Sequence, residues 1–182
     1  MNFFIFQWPS KIGGADTRAY DLIHLLLETK KHTVTCVTND SGWFKADPDT
    51  KAYLESIGVV FKLPQFLHHY KATQDDIGFS CCNFKLFEEK HRLESIKRTG
   101  MKFIWANDMM WHKEQEIEAI KEGLVDCVLY TSIFHHSKMA YAVRMANKNV
   151  KEMLVDNYFM RENHRYVERT PKEVFAIGNP VS

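Results

Sequence analysis

MNFFIFQWPSKIGGADTRAYDLIHLLLE, residues 1–28, is the stretch whose reading decides the fold. An apolar run at residues 3–8 stops at Pro9 and passes Gly13 and Gly14. It then gives way to Ala15, Ala19, Leu22, Ile23, Leu26 and Leu27 at helical spacing. A run that short and that uniformly apolar fits a strand buried on both faces, as in a parallel sheet. The second half is an amphipathic helix with one apolar stripe. Strand, glycine turn and helix in that order open a βαβ unit, so the chain begins an α/β fold. The start lacks the charged n-region and long apolar core of a signal peptide.

Outward from this unit the alternation repeats. Apolar runs at 33–38, 59–63, 77–81, 102–106, 126–130 and 174–177 are expected strands, with amphipathic segments between them. Gly58, Gly100 and Gly123 each fall between a helical segment and the next strand, where a glycine ends a helix. A second stripe, Phe134, Lys138, Ala142 and Met145, is expected to bury one helix face, with the Lys138 stem lying along its apolar neighbours. Segments 40–49 and 65–74 are the least regular and are expected to hang from the sheet beside a cleft. Residues 157–171 read as mostly helical and polar, with Arg161, Arg165 and Arg169 on one solvated face. The fold class is therefore α/β, a doubly wound, mainly parallel Rossmann-like sheet, built as one domain from residues 1–182.

Composition narrows the function classes. A length of 182 residues suits one such domain. Its 24 basic and 23 acidic side chains leave a net charge of +1, so no global field draws the chain to nucleic acid. At 45% hydrophobic it is too apolar for a disordered chain. No apolar run reaches the roughly 18 residues of a membrane-spanning helix; a peripheral membrane contact stays open. Cys36, Cys81, Cys82 and Cys127 show no C-x-x-C spacing. Reduced, buried thiols and a cytoplasmic setting are expected.

Three clusters carry candidate chemistry. PSKIGGAD, residues 9–16, follows the first strand. Its paired glycines let a ligand approach the backbone, and the amides opening a helix favour an anion. The alternative is a tight turn that needs one glycine at positive φ. The dinucleotide fingerprint G-x-G-x-x-G and a Walker lysine are both absent. WANDMMWH, residues 105–112, ends the fifth run. Asn107, Asp108 and His112 there suit sugar hydroxyls, and Trp111 offers a flat apolar face. Asp108 has the alternative of capping the next helix, and Trp105 reads as core. YTSIFHH, residues 130–136, runs from strand to helix with Thr131 or Ser132 as N-cap; a cleft-facing Ser132 is the alternative. Nine histidines include no H-E-x-x-H, and the neighbours His68–His69 and His135–His136 diverge on any regular element. No metal site is expected. With no nucleophile elbow or carboxylate pair, the chain holds no self-sufficient catalytic set.

The order of four motifs resembles the N-terminal half of a GT-B-type glycosyltransferase, most closely the retaining family 4 group. The first is the strand that ends in Gly13 and Gly14, followed by Asp16 and a helix. KHTVTCVT, residues 31–38, is similar to the family's G-H-x-V-x-V-x-T second strand. VLYTSIF, residues 128–134, is similar to its v-l-x-x-S-x-F segment. IGNPVS, residues 177–182, is similar to the I-x-N-P/G-V-D segment that closes the N-terminal domain.

The resemblance implies two Rossmann-like domains facing each other across a cleft, the N-terminal one binding the acceptor. It implies Gly13 and Gly14 at the donor phosphates and Asp108 and His112 at the reacting sugar. Asp16, Asn107, Trp111 and Ser132 would then meet the acceptor. Many members have a histidine where this chain has Asn107, so that role falls to His112 or is absent. No cofactor or metal is implied; the nucleotide-sugar is a substrate, and the acceptor is a glycan, lipid or protein-linked group. The nucleotide site and its spaced glutamates belong to a C-terminal domain that this chain lacks. The expectation is half an enzyme, inactive alone, that works with that domain or with a partner subunit. The alternatives are a stand-alone, non-catalytic sugar- or anion-binding module and a GT-B-like nucleotide-sugar epimerase.

Overall fold

The computed structural model describes residues 1–11, 14–38, 48–81, 84–107 and 114–155. Among them, seven strands form one all-parallel sheet. They are β1 (Asn2–Ile5), β2 (Thr33–Val37), β3 (Val60–Lys62), β4 (Asp76–Cys81), β5 (Lys102–Asn107), β6 (Cys127–Tyr130) and β7 (Lys151–Leu154). Their order across the sheet is β3-β2-β1-β4-β5-β6-β7. The helices are α1 (Gly14–Glu28), α2 (Pro48–Ser56), α3 (Phe84–Glu88), α4 (Lys90–Arg98), α5 (Glu114–Lys121) and α6 (Ile133–Ala146), with a 3-10 turn at Pro64–His68. This is the doubly wound, Rossmann-like α/β sheet that the apolar runs imply.

The chain winds one way from β1 to β3 and the other way from β4 to β7, so right-handed crossovers put the two sets of helices on opposite faces. On one face Ala19, Ile23 and Leu26 of α1 and Leu54 of α2 pack with Ile5, Val34 and Cys36. On the other, Phe87, Ile96, Ile120 and Val143 from α3 to α6 pack with Phe4, Phe6, Phe103 and Val128. Alternation along β1 sends Phe4 to one core and Ile5 to the other. Trp105 lies wholly in the core against Phe87. Gly78 of β4 is a glycine for steric reasons: a Cβ there would meet Phe6, Met101 and Phe103 at 3.0–3.1 Å. Gly58, Gly100 and Gly123 have φ of +99°, +87° and +74°, the left-handed geometry that ends a helix.

At the amino ends of the strands, two aspartates stitch the sheet together. Asp76 accepts from Asn2 Nδ2 (2.6 Å), Tyr70 Oη (2.8 Å) and the Thr73 amide (2.7 Å). Asp126 accepts from Lys97 Nζ (2.6 Å) and the Phe103 amide (2.8 Å), which joins α4, β5 and the start of β6. Both carboxylates satisfy buried or half-buried donors that would otherwise be costly.

Three expectations are corrected. The stripe of Phe134, Lys138, Ala142 and Met145 is not the buried face of α6, which instead buries His135, Met139, Ala140 and Val143. The helix carries apolar residues on both sides, so period alone does not fix its phase. The Ser132 cap and the contacts of His136 and Arg144 with Glu152 of β7 do. Segment 65–74 does not hang beside a cleft. Phe66 and Tyr70 pack on Phe4, and Tyr70 reaches Asp76 at the amino end of β4. β7 is an additional strand that no apolar run announces, because its residues KEML are mostly exposed at the sheet edge. Residues 40–47, the expected strand at 174–177 and the arginine face at 161–169 lie outside the described residues.

Candidate functional site

The sheet order reverses between β1 and β4, and at their carboxyl ends the two sets of crossovers part. Open α/β sheets bind ligands in such a crevice. β1 delivers the chain there through Phe6, whose amide donates to Phe79 O at 2.8 Å and whose carbonyl accepts from Ser80 Oγ at 3.3 Å. Gln7, buried in the middle of the apolar run, is the connecting piece. Its Nε2 donates to Ala15 O at 2.9 Å, and its Oε1 accepts from the Cys81 amide. One side chain thus ties the first turn of α1 to the last residue of β4.

The Ser10 amide donates to Asp16 O at 3.2 Å, which ties the end of the segment after β1 to the first turn of α1. Gly14 begins α1 in an exposed position, and a Cβ built there would have no heavy atom within 4 Å. Its φ is not among the positive values, so the tight-turn reading does not apply to Gly14. Asp16 lies in the first turn, where a helix favours negative charge. Burial nevertheless pushes its carboxyl above the ordinary value, and a hydrogen bond from Gln7 opposes the rise. Arg18, buried one turn on, points Nη1 at the Cys81 sulfur at 4.0 Å. Lys11, in the same loop, sets its ammonium over the rings of Tyr20 and Tyr53 at 5.6 and 5.5 Å.

The other candidates sit further along the same edge. Asn107 ends β5 in register with Tyr130 and is 1% exposed. Ser132 caps α6, its Oγ accepting from the His135 amide at 3.1 Å, so the cap accounts for its hydroxyl. His135 and His136 diverge as expected. His135 Nδ1 lies 3.2 Å from Thr131 Oγ1, and His136 Nε2 lies 3.1 Å from Glu152. Gly13, Asp108, Trp111 and His112 lie outside the described residues. The structure therefore brings Gly14 and Asp16 together and sets Asn107 and Ser132 on the neighbouring strand ends.

Sequence reasoning missed Gln7 and Arg18. Both had a signal: Gln7 is the one amide in FFIFQW, and Arg18 falls on the stripe 15–18–19–22, where a charge interrupts a core face. Among the described residues Cys36, Cys81 and Cys127 are buried and in no disulfide, and burial raises the pKa of Cys36 and Cys127. Among the described residues, no three His, Cys, Asp or Glu side chains group to hold a metal ion, and no helix is long and apolar enough to cross a membrane. No family model matches the chain, and no curated protein matches its sequence.

Proposed function

We propose that the chain is the acceptor-side, N-terminal half of a GT-B-type glycosyltransferase similar to the retaining family 4 group. It would move a sugar from a nucleotide-sugar to a glycan, lipid or protein-linked acceptor inside the cell. The observation that carries the reading is the reversal of strand order between β1 and β4, together with the exposed Gly14 that begins α1 after β1. The amides that open a helix, and a glycine whose Cβ position meets no described atom within 4 Å, suit a diphosphate that must come against backbone.

In this reading Gly13 and Gly14 meet the donor phosphates. Gln7 acts behind them, holding the turn in place through Ala15 and Cys81. Asp16, half-buried in the first turn of α1, is placed to hydrogen-bond a sugar hydroxyl. Asp108 and His112 serve the reacting sugar, and Asn107, Trp111 and Ser132 serve the acceptor. A second domain supplies the nucleotide site, so the isolated chain transfers nothing. No metal or cofactor enters the proposal.

The test is sugar transfer by a protein carrying the second domain, compared with its Gly14→Trp and Asp108→Ala variants. Gly14 is exposed and a Cβ there meets no described atom within 4 Å, so Gly14→Trp is expected to abolish transfer, with the melting temperature measured alongside to separate a blocked site from a misfolded chain. Unchanged transfer in both variants would remove the site assignment. Saturable sugar binding with no transfer in any form would favour the binding module.

A further inference from the structure

The outer faces of α1 and α2 meet in a cluster of rings. Tyr20 and His24 are four residues apart on α1 and so share a face, with ring centroids 4.6 Å apart. Tyr53 of α2 stacks on both, its centroid 6.5 Å from Tyr20 and 5.7 Å from His24. Lys11 reaches onto this cluster from the segment after β1. Its ammonium lies 5.6 Å from the Tyr20 centroid and 5.5 Å from that of Tyr53. The face of an aromatic ring attracts a cation, and rings from two helices turn that attraction into a bridge. The neighbours of Lys11 are held as well. The Ser10 amide donates to Asp16 O at 3.2 Å, and Trp8 lies 6.0 Å from Phe61 of β3.

Lys11 stands three residues before Gly14, where α1 begins. An anchor at Lys11 therefore sets one end of the short stretch that leads into that helix start. We propose that Lys11 is a positioning residue, which fastens the segment before the glycines across α1 and α2 through Tyr20 and Tyr53. Its part in transfer rests on the function proposed above; the fastening itself does not. The competing role for a lysine here is to leave the rings and meet a phosphate directly. Tyr53 tells the two apart, because a direct contact needs the ammonium and not the ring.

Hydrogen exchange of the Ser10 amide, followed by NMR in the full chain, reads the fastening beside Lys11. Lys11→Met is expected to speed it roughly two- to fivefold, the size of an exposed cation–ring contact. Tyr53→Leu should speed it less, since Tyr20 remains, and the double variant no more than Lys11→Met alone. Lys11→Arg and Tyr53→Phe, which keep a cation and a ring, should stay near wild type. In the protein carrying the second domain, KM for the nucleotide-sugar should rise in Lys11→Met and Tyr53→Leu and hold in the two conservative variants. Ser10 exchange indifferent to Lys11→Met, or effects that add in the double variant, would overturn the fastening. A KM raised by Lys11→Met and untouched by Tyr53→Leu would replace it with a direct phosphate contact. No transfer by the unsubstituted two-domain protein would remove the function proposed above, and Ser10 exchange would still decide the fastening.

Discussion

Asp76 and Asp16 stand at opposite ends of the seam between β1 and β4, and their surroundings differ in kind. At the amino end, burial works against ionisation of Asp76, yet bonds from Asn2, Thr73 and Tyr70 outweigh it and hold its pKa below the ordinary value. The cost appears on its partner, the Tyr70 phenol, pushed up to about 12 by burial and by Asp76. At the carboxyl end, burial dominates Asp16 and its pKa is raised, with only Gln7 opposing. One end of the sheet saturates its carboxylate and so contributes stability. The other sets a carboxyl whose ionisation burial opposes beside an exposed glycine, a state that costs folding energy.

The largest test of this contrast is Asp76→Ala, which strands three donors at a buried position. It should cost about 3 kcal/mol, read from the urea midpoint; a loss too small to shift that midpoint would break the comparison. Next comes the pair of glycines along the seam. Gly78→Val pushes into Phe6, Met101 and Phe103 and should cost about 2 kcal/mol. Gly14→Ala meets nothing and should stay within about 0.5 kcal/mol of wild type.

Acid gives a smaller effect. A carboxyl whose folded pKa is lowered stabilises the fold above its unfolded value, about 3.9, and loses that contribution as pH falls through the folded pKa. Unfolding free energy should therefore be level near neutrality and decline below about pH 4, and Asp76→Asn should flatten part of the decline. The smallest effect belongs to Asp16→Asn. A raised pKa means the ionised form is disfavoured by folding, so this variant should not lower stability at neutral pH, while transfer by the two-domain protein should fall. A drop in melting temperature without a change in transfer would place Asp16 with the stitching residues.

The central strands were legible because β1, β2, β4, β5 and β6 are largely buried and read as near-continuous apolar runs. α1 was legible because Ala19, Ile23 and Leu26 sit on one side only. β7 was not, since an edge strand of KEML has little to bury and is held by its backbone pairing to β6. The phase of α6 was hidden for the opposite reason: Phe134, Tyr141 and Met145 compete in the pattern with Met139, Ala140 and Val143. At the site, Gly14 and Asp16 follow from their place after the first strand. Gln7 depends on its partner Cys81, whose amide is distant in sequence, and no local pattern contains that bond.

The position of β1 sets an order on how the protein can be made. Asn2 pairs with Thr33 on one side and with Asp76 on the other, 74 residues along the chain. Until β4 has left the ribosome, β1 is an open edge whose unpaired amides can template another strand. A nascent chain that pauses before Asp76 therefore exposes NFFIFQW as a flat, apolar, aggregation-prone border. The switch point between β1 and β4 exists only after this late, long-range closure, so a chaperone guarding that edge during synthesis would be guarding the seam on which the whole sheet turns.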